Sequence, residues 1–169
     1  IKTPNIDKLA QEGIRFTSAF VTSPVCSSSR SAMVSAMYQT TLGTHNHRSQ
    51  TSSGKGSGNV KYYDTYRIPK GIKLISEIFR DAGYFVTNKS KTDYNFIPNR
   101  QLYNGSDWRK APPEQPIFAQ FQLKGGKNRK AKSQAKPDKV VLPPYYPDHA
   151  VLRQDWAKYL DSWVKTDEE

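Results

Sequence analysis

The sequence predicts an α/β fold, in which helices cover both faces of a central, mostly parallel β-sheet. Helix-like and strand-like segments alternate along the chain, a pattern that favours a sheet with helices packed on it. Short apolar runs at residues 84–88 and 116–123 are typical of buried strands. The 169 residues are enough for one domain with a hydrophobic core.

The first two elements are predicted near the start of the chain. Residues 3–13 should form a helix, because Thr3 suits the N-cap, Pro4 the first turn and Gly13 the end. Residues 14–21 alternate between apolar and polar side chains, which predicts a strand. We therefore expect a helix followed directly by a strand.

The later elements have clearer boundaries. Residues 39–59 carry no apolar period and predict a long exposed loop. Residues 71–83 give the strongest helical pattern, with one apolar face, and residues 148–164 predict a final amphipathic helix. The apolar face of residues 71–83 consists of Ile72, Ile75, Ile78, Phe79 and Ala82.

The chain is strongly basic. It has 26 Lys and Arg against 15 Asp and Glu, a formal charge of +11. This favours polyanionic partners such as sulfated glycans, nucleic acid or anionic lipid surfaces, although a segment can also be basic because acidic neighbours are missing. Residues 124–139 alone hold seven Lys and Arg. No run of about twenty apolar residues is present, so no transmembrane segment is predicted.

Cys26 is the single cysteine and the most informative residue. An apolar-spaced stretch with Ala32, Met33, Ala36 and Met37 follows it, so the cysteine should stand at the N-terminus of a helix. Unpaired N–H groups and the positive end of the helix dipole meet there. Such a position is suited to holding an anion and activating a nucleophile.

Residues 26–30, Cys-Ser-Ser-Ser-Arg, resemble the sulfatase signature C-x-[PSA]-S-R. In that family a formylglycine-generating enzyme oxidises the cysteine to formylglycine, and the aldehyde hydrate attacks the sulfur of a sulfate ester. The resemblance implies this modification for Cys26. A serine and an arginine at these offsets occur by chance roughly once in a few hundred tries, so further matches are needed.

Further segments match the family in the right order. Residues 3–16 are similar to T-P-N-I-D-x-L-A…G-x-x-F, residues 74–84 to the L-x-E-x-L-x-x-A-G-Y helix, and residues 116–119 to the P-F-F strand. Lys91 stands where the family places an active-site lysine. The resemblance implies an alkaline-phosphatase-like α/β sandwich, with residues 1–169 as part of a single sulfatase catalytic domain that is truncated at both ends.

The resemblance also implies roles for individual residues. Cys26, as formylglycine, would be the nucleophile and a ligand of Ca²⁺. Arg30 would pair with the hydrate oxygens, and Lys91 would place a charge on the sulfate oxygens. A family histidine lies near the nucleophile or substrate, so we expect His45 to act in catalysis and His47 in substrate binding. The paired aspartates and the later Asp-Asn or Asp-His pair that complete the calcium site would lie outside this chain.

Two positions depart from the family pattern. The usual Gly-Lys-Trp-His is here Ser-Lys-Thr-Asp, so Asp93 replaces a histidine. As an anion Asp93 would repel sulfate unless it is paired, although it could be a base or orient Lys91. Lys127 stands where the family has a histidine beside the leaving group, and it could supply a cationic contact to sulfate instead. We assign both residues to substrate binding.

The implied activity is hydrolysis of sulfate esters or sulfamates, on a carbohydrate substrate, in a periplasmic, extracellular or lysosomal location. This activity would not require nucleic acid, and the 169-residue segment alone is expected to be inactive. Two alternatives stay open. One is a phosphonate or phosphodiester hydrolase of the same superfamily. The other is a catalytically dead, polyanion-binding relative, suggested by Asp93, Lys127 and the basic loop at residues 124–139.

Overall fold

A computed structural model describes residues 1–47, 66–125, 128 and 130–169. These residues form two compact units. The strand unit comprises Ala19–Gln122, and the terminal unit comprises Ile1–Ser18 together with Leu123–Glu169. The regular elements are α1 (Pro4–Glu12), α2 (Cys26–Ser35), α3 (Ile75–Asp81), β1 (Phe85–Asn88), β2 (Ile117–Gln120) and α4 (Ala150–Glu168).

The strand unit contains a parallel pair of strands, so the predicted α/β class is confirmed. Phe85 lies opposite Ile117 and Asn88 opposite Gln120. The strands run in the same direction, and the loops that follow them therefore leave from the same edge of the sheet. The loop after β1 carries Lys91.

The hydrophobic core of the strand unit lies between helix α2 and the segments that follow it. Seven buried side chains form one cluster: Val34, Leu42, Ile68, Leu74, Tyr94, Phe96 and Leu102. Helix α3 packs on the sheet through Phe79, whose ring stacks on that of Phe118 at a centroid distance of 4.0 Å. Burial of Tyr94 and Phe96 in this cluster holds the segment that follows β1 in place.

The predicted strand at residues 14–21 is wrong. The structure has no regular element there, and the side chains of Phe16 and Phe20 are 76% and 92% exposed. A strand exists only where its N–H and C=O groups find a ladder partner, and an apolar alternation does not supply one.

The segment at residues 71–83 is helical only over Ile75–Asp81, and its predicted apolar face is largely exposed. Ile78 is 53% exposed, whereas Leu74 and the carboxylate residue Glu77 are buried. Glu77 accepts a hydrogen bond from the Leu74 N–H at 2.8 Å and one from Arg100 Nε at 2.7 Å. These two bonds satisfy the carboxylate, which explains how a charged residue takes the buried position.

The loop predicted at residues 39–59 is not uniformly exposed. Leu42 is 1% exposed and Thr44 is fully buried. The Thr44 N–H donates to the Gln39 carbonyl at 2.8 Å, which closes a compact turn. Residues 48–59 of this prediction lie outside the described residues.

The terminal unit confirms the first and last predicted helices with small shifts at their ends. Asp167, near the end of α4, accepts a hydrogen bond from the Ile6 N–H at 2.7 Å and so caps the start of α1. His149 caps the start of α4 by accepting from the Val151 N–H at 3.3 Å. None of the helices in the described ranges is long and apolar enough to cross a membrane.

The burial around α3 predicts which of its apolar side chains stabilises the fold. Replacing the fully buried Leu74 by Ala should lower the free energy of unfolding by about 2–5 kcal/mol, because a cavity is left in the core. Ile78→Ala, at a half-exposed position, should cost less than about 1 kcal/mol. Denaturant unfolding of both variants checks this, and a larger loss for Ile78→Ala would contradict the described burial.

Candidate functional site

Cys26 is the first residue of helix α2, as the sequence predicts. The preceding residue, Val25, is extended, with φ −128° and ψ 137°, so the chain turns into the helix directly at the cysteine. The thiol is free and the residue is half-buried. An anionic group at Cys26 would therefore lie at the positive end of the helix dipole.

Helix α2 buries a face of serines in addition to the apolar side chains of Ala32 and Val34. Ser27, Ser28 and Ser31 are fully buried, and Ser35 is 7% exposed. The Ser31 hydroxyl donates to the Ser27 carbonyl at 2.7 Å, and the Ser35 hydroxyl donates to the Ser31 carbonyl at 2.7 Å. The spacing of four residues puts Ser27, Ser31 and Ser35 on one side of the helix. Their small size lets other segments approach the helix closely.

The segment that carries both histidines is attached to this serine face. The Ser27 hydroxyl and His47 Nδ1 are hydrogen-bonded at 3.1 Å. The Ser28 hydroxyl donates to the backbone carbonyl of His45 at 2.9 Å. The ring of His47 is thus bonded to the residue directly after Cys26, whereas the bond at His45 is made by its backbone.

Arg30 lies one turn beyond Cys26 and reaches the loop after β1. Its Nε donates to the Thr92 carbonyl and its NH2 group to the Lys91 carbonyl, both at 2.6 Å. The guanidinium also lies over the ring of Tyr94, 5.7 Å from the centroid. The planar fork suits two adjacent carbonyl groups as well as it suits an oxyanion. Arg30 therefore fixes the position of the lysine loop relative to α2.

Lys91 and Asp93 form an ion pair at the tip of this loop. Lys91 Nζ lies 2.8 Å from Asp93 Oδ2, and the side chains are 33% and 6% exposed respectively. Asp93 has a φ of 47°, in the left-handed region that Asp tolerates better than most residues. The sequence predicts that Asp93 would repel sulfate unless it is paired. The ion pair with Lys91 meets that condition, because a paired carboxylate no longer presents a lone negative charge to an anion.

Tyr94, whose ring packs against the Arg30 guanidinium, is itself held by a second tyrosine, Tyr103. The hydroxyl groups of Tyr94 and Tyr103 are hydrogen-bonded to each other, and Tyr103 donates to Gln120 Oε1 at 3.1 Å. Burial, together with the bond to Tyr94, raises the pKa of Tyr103 well above its usual value. Tyr103 therefore stays neutral, and the pair holds the ring of Tyr94 under the guanidinium.

A cavity of about 390 Å³ opens beside Arg30, within the strand unit. Gln120 and Gln122 line it at the end of β2, with the apolar side chains of Met33 and Phe121. The cavity thus combines one cation and two amides with an apolar wall, and such a mixture is common in small-molecule sites.

Comparison with known proteins decides the family. The Sulfatase family profile matches residues 1–169. The chain belongs to the sulfatase family. The fold of that family is alkaline-phosphatase-like, so the predicted fold class is confirmed at this level too.

Curated relatives agree with this assignment. The chain is 36% identical to an ulvan-active sulfatase of Formosa agariphila over 127 residues, which are 73% of this chain and 21% of that protein. It is 36% identical to the uncharacterized sulfatase YidJ of Escherichia coli over 84 residues, 50% of this chain and 14% of that protein. It is 29% identical to human arylsulfatase D over 85 residues, 50% of this chain and 13% of that protein. The chain thus spans about a fifth or less of the length of these relatives. No solved structure gave a significant match.

Hydrogen bonds connect helix α2, which carries Cys26 and Arg30, to the segment with His45 and His47 and to the loop with Lys91, and Asp93 is paired to the lysine. Lys127 lies outside the described residues. In the described part of the chain, no three His, Cys, Asp or Glu side chains are placed to hold a metal ion. The described residues therefore do not form a calcium site by themselves.

Sequence reasoning missed the residues that hold the site together. Ser27, Ser31, Tyr94 and Asn95 all bond across segments, yet none was singled out. One signal was available, because serines four residues apart on a helix point to a buried polar face. No local pattern identifies Asn95.

The two bonds of Arg30 to the lysine loop give a structural prediction. Arg30→Lys keeps the charge but loses the planar fork, so backbone amides at residues 91–95 should exchange with solvent faster. Arg109→Lys, at a guanidinium that pairs with Asp107 and is 73% exposed, is the matched control and should leave this segment unchanged. Hydrogen exchange with mass analysis measures both. Equal exchange at residues 91–95 in Arg30→Lys and the wild type would refute the role given to Arg30.

Proposed function

We propose that the protein hydrolyses sulfate esters or sulfamates, with residues 1–169 as part of one sulfatase catalytic domain. Family membership and the sulfatase-named relatives support the reaction class. The single observation that carries the mechanism is the start of α2. Cys26 stands at the helix N-terminus, and Arg30 of the same helix holds the loop that carries Lys91.

Formylglycine formed from Cys26 supplies a hydrated aldehyde whose oxygen attacks sulfur. In the reaction that this group would supply, the hydrate hydroxyl would lose its proton as its oxygen bonds to sulfur, the bond from sulfur to the alcohol oxygen or amine nitrogen would break, and the leaving group would take a proton. Cleavage of the bond between the hydrate carbon and the sulfate oxygen would then release sulfate and restore the aldehyde. The residues around position 26 make this attack more favourable. The first turn of α2 directs its N–H groups and dipole toward an anion at residue 26, which lowers the repulsion between nucleophile and sulfate.

The charges around the site suit an anionic group. Arg30 and Lys91 contribute two positive charges and Asp93 one negative charge, so the three side chains keep one net positive charge. Asp93 orients the ammonium group of Lys91, and Arg30 fixes the backbone beneath it. Lys91 is 33% exposed, so its ammonium can also reach a sulfate oxygen.

A sulfated carbohydrate is the substrate class that we favour. The formal charge of +11 suits a molecule that carries several sulfate groups. The cavity beside Arg30 offers amide groups and an aromatic ring, which can bind hydroxyl groups and the apolar face of a sugar. A substrate panel with sulfated sugars, a simple aryl sulfate and a phosphodiester distinguishes this proposal from the phosphodiesterase alternative.

Formylglycine should be found at residue 26 when the full-length protein is expressed with a formylglycine-generating enzyme. Peptide mass analysis measures the modification, and expression without that enzyme is the control. Cys26→Ala should abolish turnover, because no other side chain at this helix start forms a hydrated aldehyde. Turnover near the wild-type rate in Cys26→Ala would reject the assignment of the nucleophile.

Lys91→Ala in the full-length enzyme should cost about 2–4 kcal/mol in kcat/KM, the range for one group that stabilises developing negative charge. Thermal unfolding of the variant checks that the loss of activity does not come from misfolding, because the substitution removes the ion pair between Lys91 and Asp93.

The control for Lys91 is a double neutralisation at Lys130 and Lys132 in the basic loop. Exposed charges act through long-range attraction, so this change should be modest and should fade as salt is raised, with screening over about 10 Å at 0.1 M. If Lys91→Ala is silent and the loop change is severe and independent of salt, the role given to Lys91 is rejected and the polyanion-binding alternative is favoured.

A further inference from the structure

Three consecutive backbone carbonyls around His45 accept hydrogen bonds from side chains of other segments. The Asn95 amide nitrogen donates to the Thr44 carbonyl at 3.2 Å and to the Asn46 carbonyl. The Ser28 hydroxyl donates to the carbonyl between them, that of His45. Side chains outside this segment therefore fix all three peptide groups between Thr44 and His47.

Asn95 is itself fixed on helix α2. Its side chain is fully buried, and its backbone N–H donates to the Ser31 hydroxyl at 3.0 Å. Ser31 in turn donates to the Ser27 carbonyl, and the Ser27 hydroxyl bonds the ring of His47. A closed circuit of hydrogen bonds thus runs from the nucleophile helix through Asn95 to the histidine segment and back.

The chemistry of the side chain suits this role. An amide nitrogen has two N–H donors in one plane, so it can serve two carbonyls at once, which a hydroxyl or a carboxylate cannot do. The bond to Thr44 is buried and the bond to Asn46 is partly buried, so losing the donors leaves the Thr44 carbonyl unsatisfied away from water, and the loop must move to recover a partner.

We propose that Asn95 is a positioning residue, which acts through His47 and holds its ring at the residue next to the nucleophile. This inference rests on the proposed function only in that the nucleophile is formed from Cys26. Residue 95 also follows the lysine loop directly, so one buried amide sets the position of three segments that carry Cys26, His47 and Lys91. His47, rather than His45, is then the histidine placed to interact with the group at position 26.

The test compares Asn95→Ala with Gln39→Ala in the full-length protein. Gln39 is a matched control, because it is also buried and its amide also donates to a carbonyl, that of Thr22, at 2.8 Å. Both variants should lose stability. Asn95→Ala should lower kcat/KM about 10–100-fold, mainly through kcat, because displaced groups no longer meet the bound substrate correctly. Gln39→Ala should stay within about threefold of the wild type.

A second readout does not depend on activity. Reaction of individual histidines with diethyl pyrocarbonate is followed by peptide mass, with His149 of the terminal unit as internal reference. In Asn95→Ala the reaction rate of His47 should rise about tenfold, because the ring is no longer held on Ser27. The rate of His149 should not change in either variant, and that of His47 should not change in Gln39→Ala.

The outcomes separate this inference from the proposed function. If the wild type turns over no sulfate ester but His47 reacts faster only in Asn95→Ala, the positioning role stands and the proposed function fails. Unchanged reactivity of His47 in Asn95→Ala, or an equal rise in Gln39→Ala, overturns the positioning role. If Asn95→Ala fails to fold, Ser28→Ala takes its place, because it removes a single hydrogen bond to the same segment. The reaction rate of His47 should then rise by less than tenfold. An unchanged rate overturns the inference.

Discussion

The buried serine face of helix α2 is the feature on which the rest of the candidate site depends. Apolar side chains in that position would pack against any apolar surface of the right shape. Buried hydroxyl groups instead need partners in definite directions, since an unsatisfied polar group away from water is costly. Ser27, Ser28 and Ser31 therefore select their neighbours one by one: a histidine ring, a loop carbonyl and a backbone N–H. These bonds fix the position of helix α2 relative to the histidine segment and to the segment with Asn95. Apolar packing alone would not fix that position.

Arg30 both fixes the position of the lysine loop and contributes positive charge to the candidate site. The same guanidinium that holds the carbonyls of Lys91 and Thr92 also places a positive charge within one helical turn of Cys26. Asp93, which departs from the family pattern, is accommodated because it pairs with Lys91 instead of standing alone. The Asp93 carboxylate thus helps to hold the Lys91 side chain in place, and the three charged side chains keep one net positive charge. A departure from a family motif need not remove function when the structure supplies a partner for the new charge.

The fold was predictable where a local pattern and its tertiary environment agree. Strands β1 and β2 and helices α1 and α4 lie where the sequence places them. Val86 of β1 and Val164 of α4 are buried, whereas α1 buries no residue, and its position follows from the local signals at its two ends. The prediction at residues 14–21 failed because a strand depends on a partner that may be distant in sequence, and alternation cannot reveal one. The apolar face predicted for residues 71–83 failed for another reason. Arg100 satisfies Glu77, which allows a carboxylate to take the buried position while Ile78 stays half-exposed.

For the candidate site, the sequence by itself determined the family and which reactive groups are present. The signature at residues 26–30 and the ordered matches along the chain predict the family, which the family profile over residues 1–169 confirms. A helix start that places an N-terminus at the cysteine can also be inferred from local residues alone. Only the tertiary structure decided how these groups are held. Asn95 bonds Ser31 from 64 residues away and the Thr44 carbonyl from 51 residues away, and no short-range pattern encodes such contacts. Local sequence sets propensities and reactive groups, whereas the positions of those groups depend on buried, directional bonds that exist only once distant segments meet.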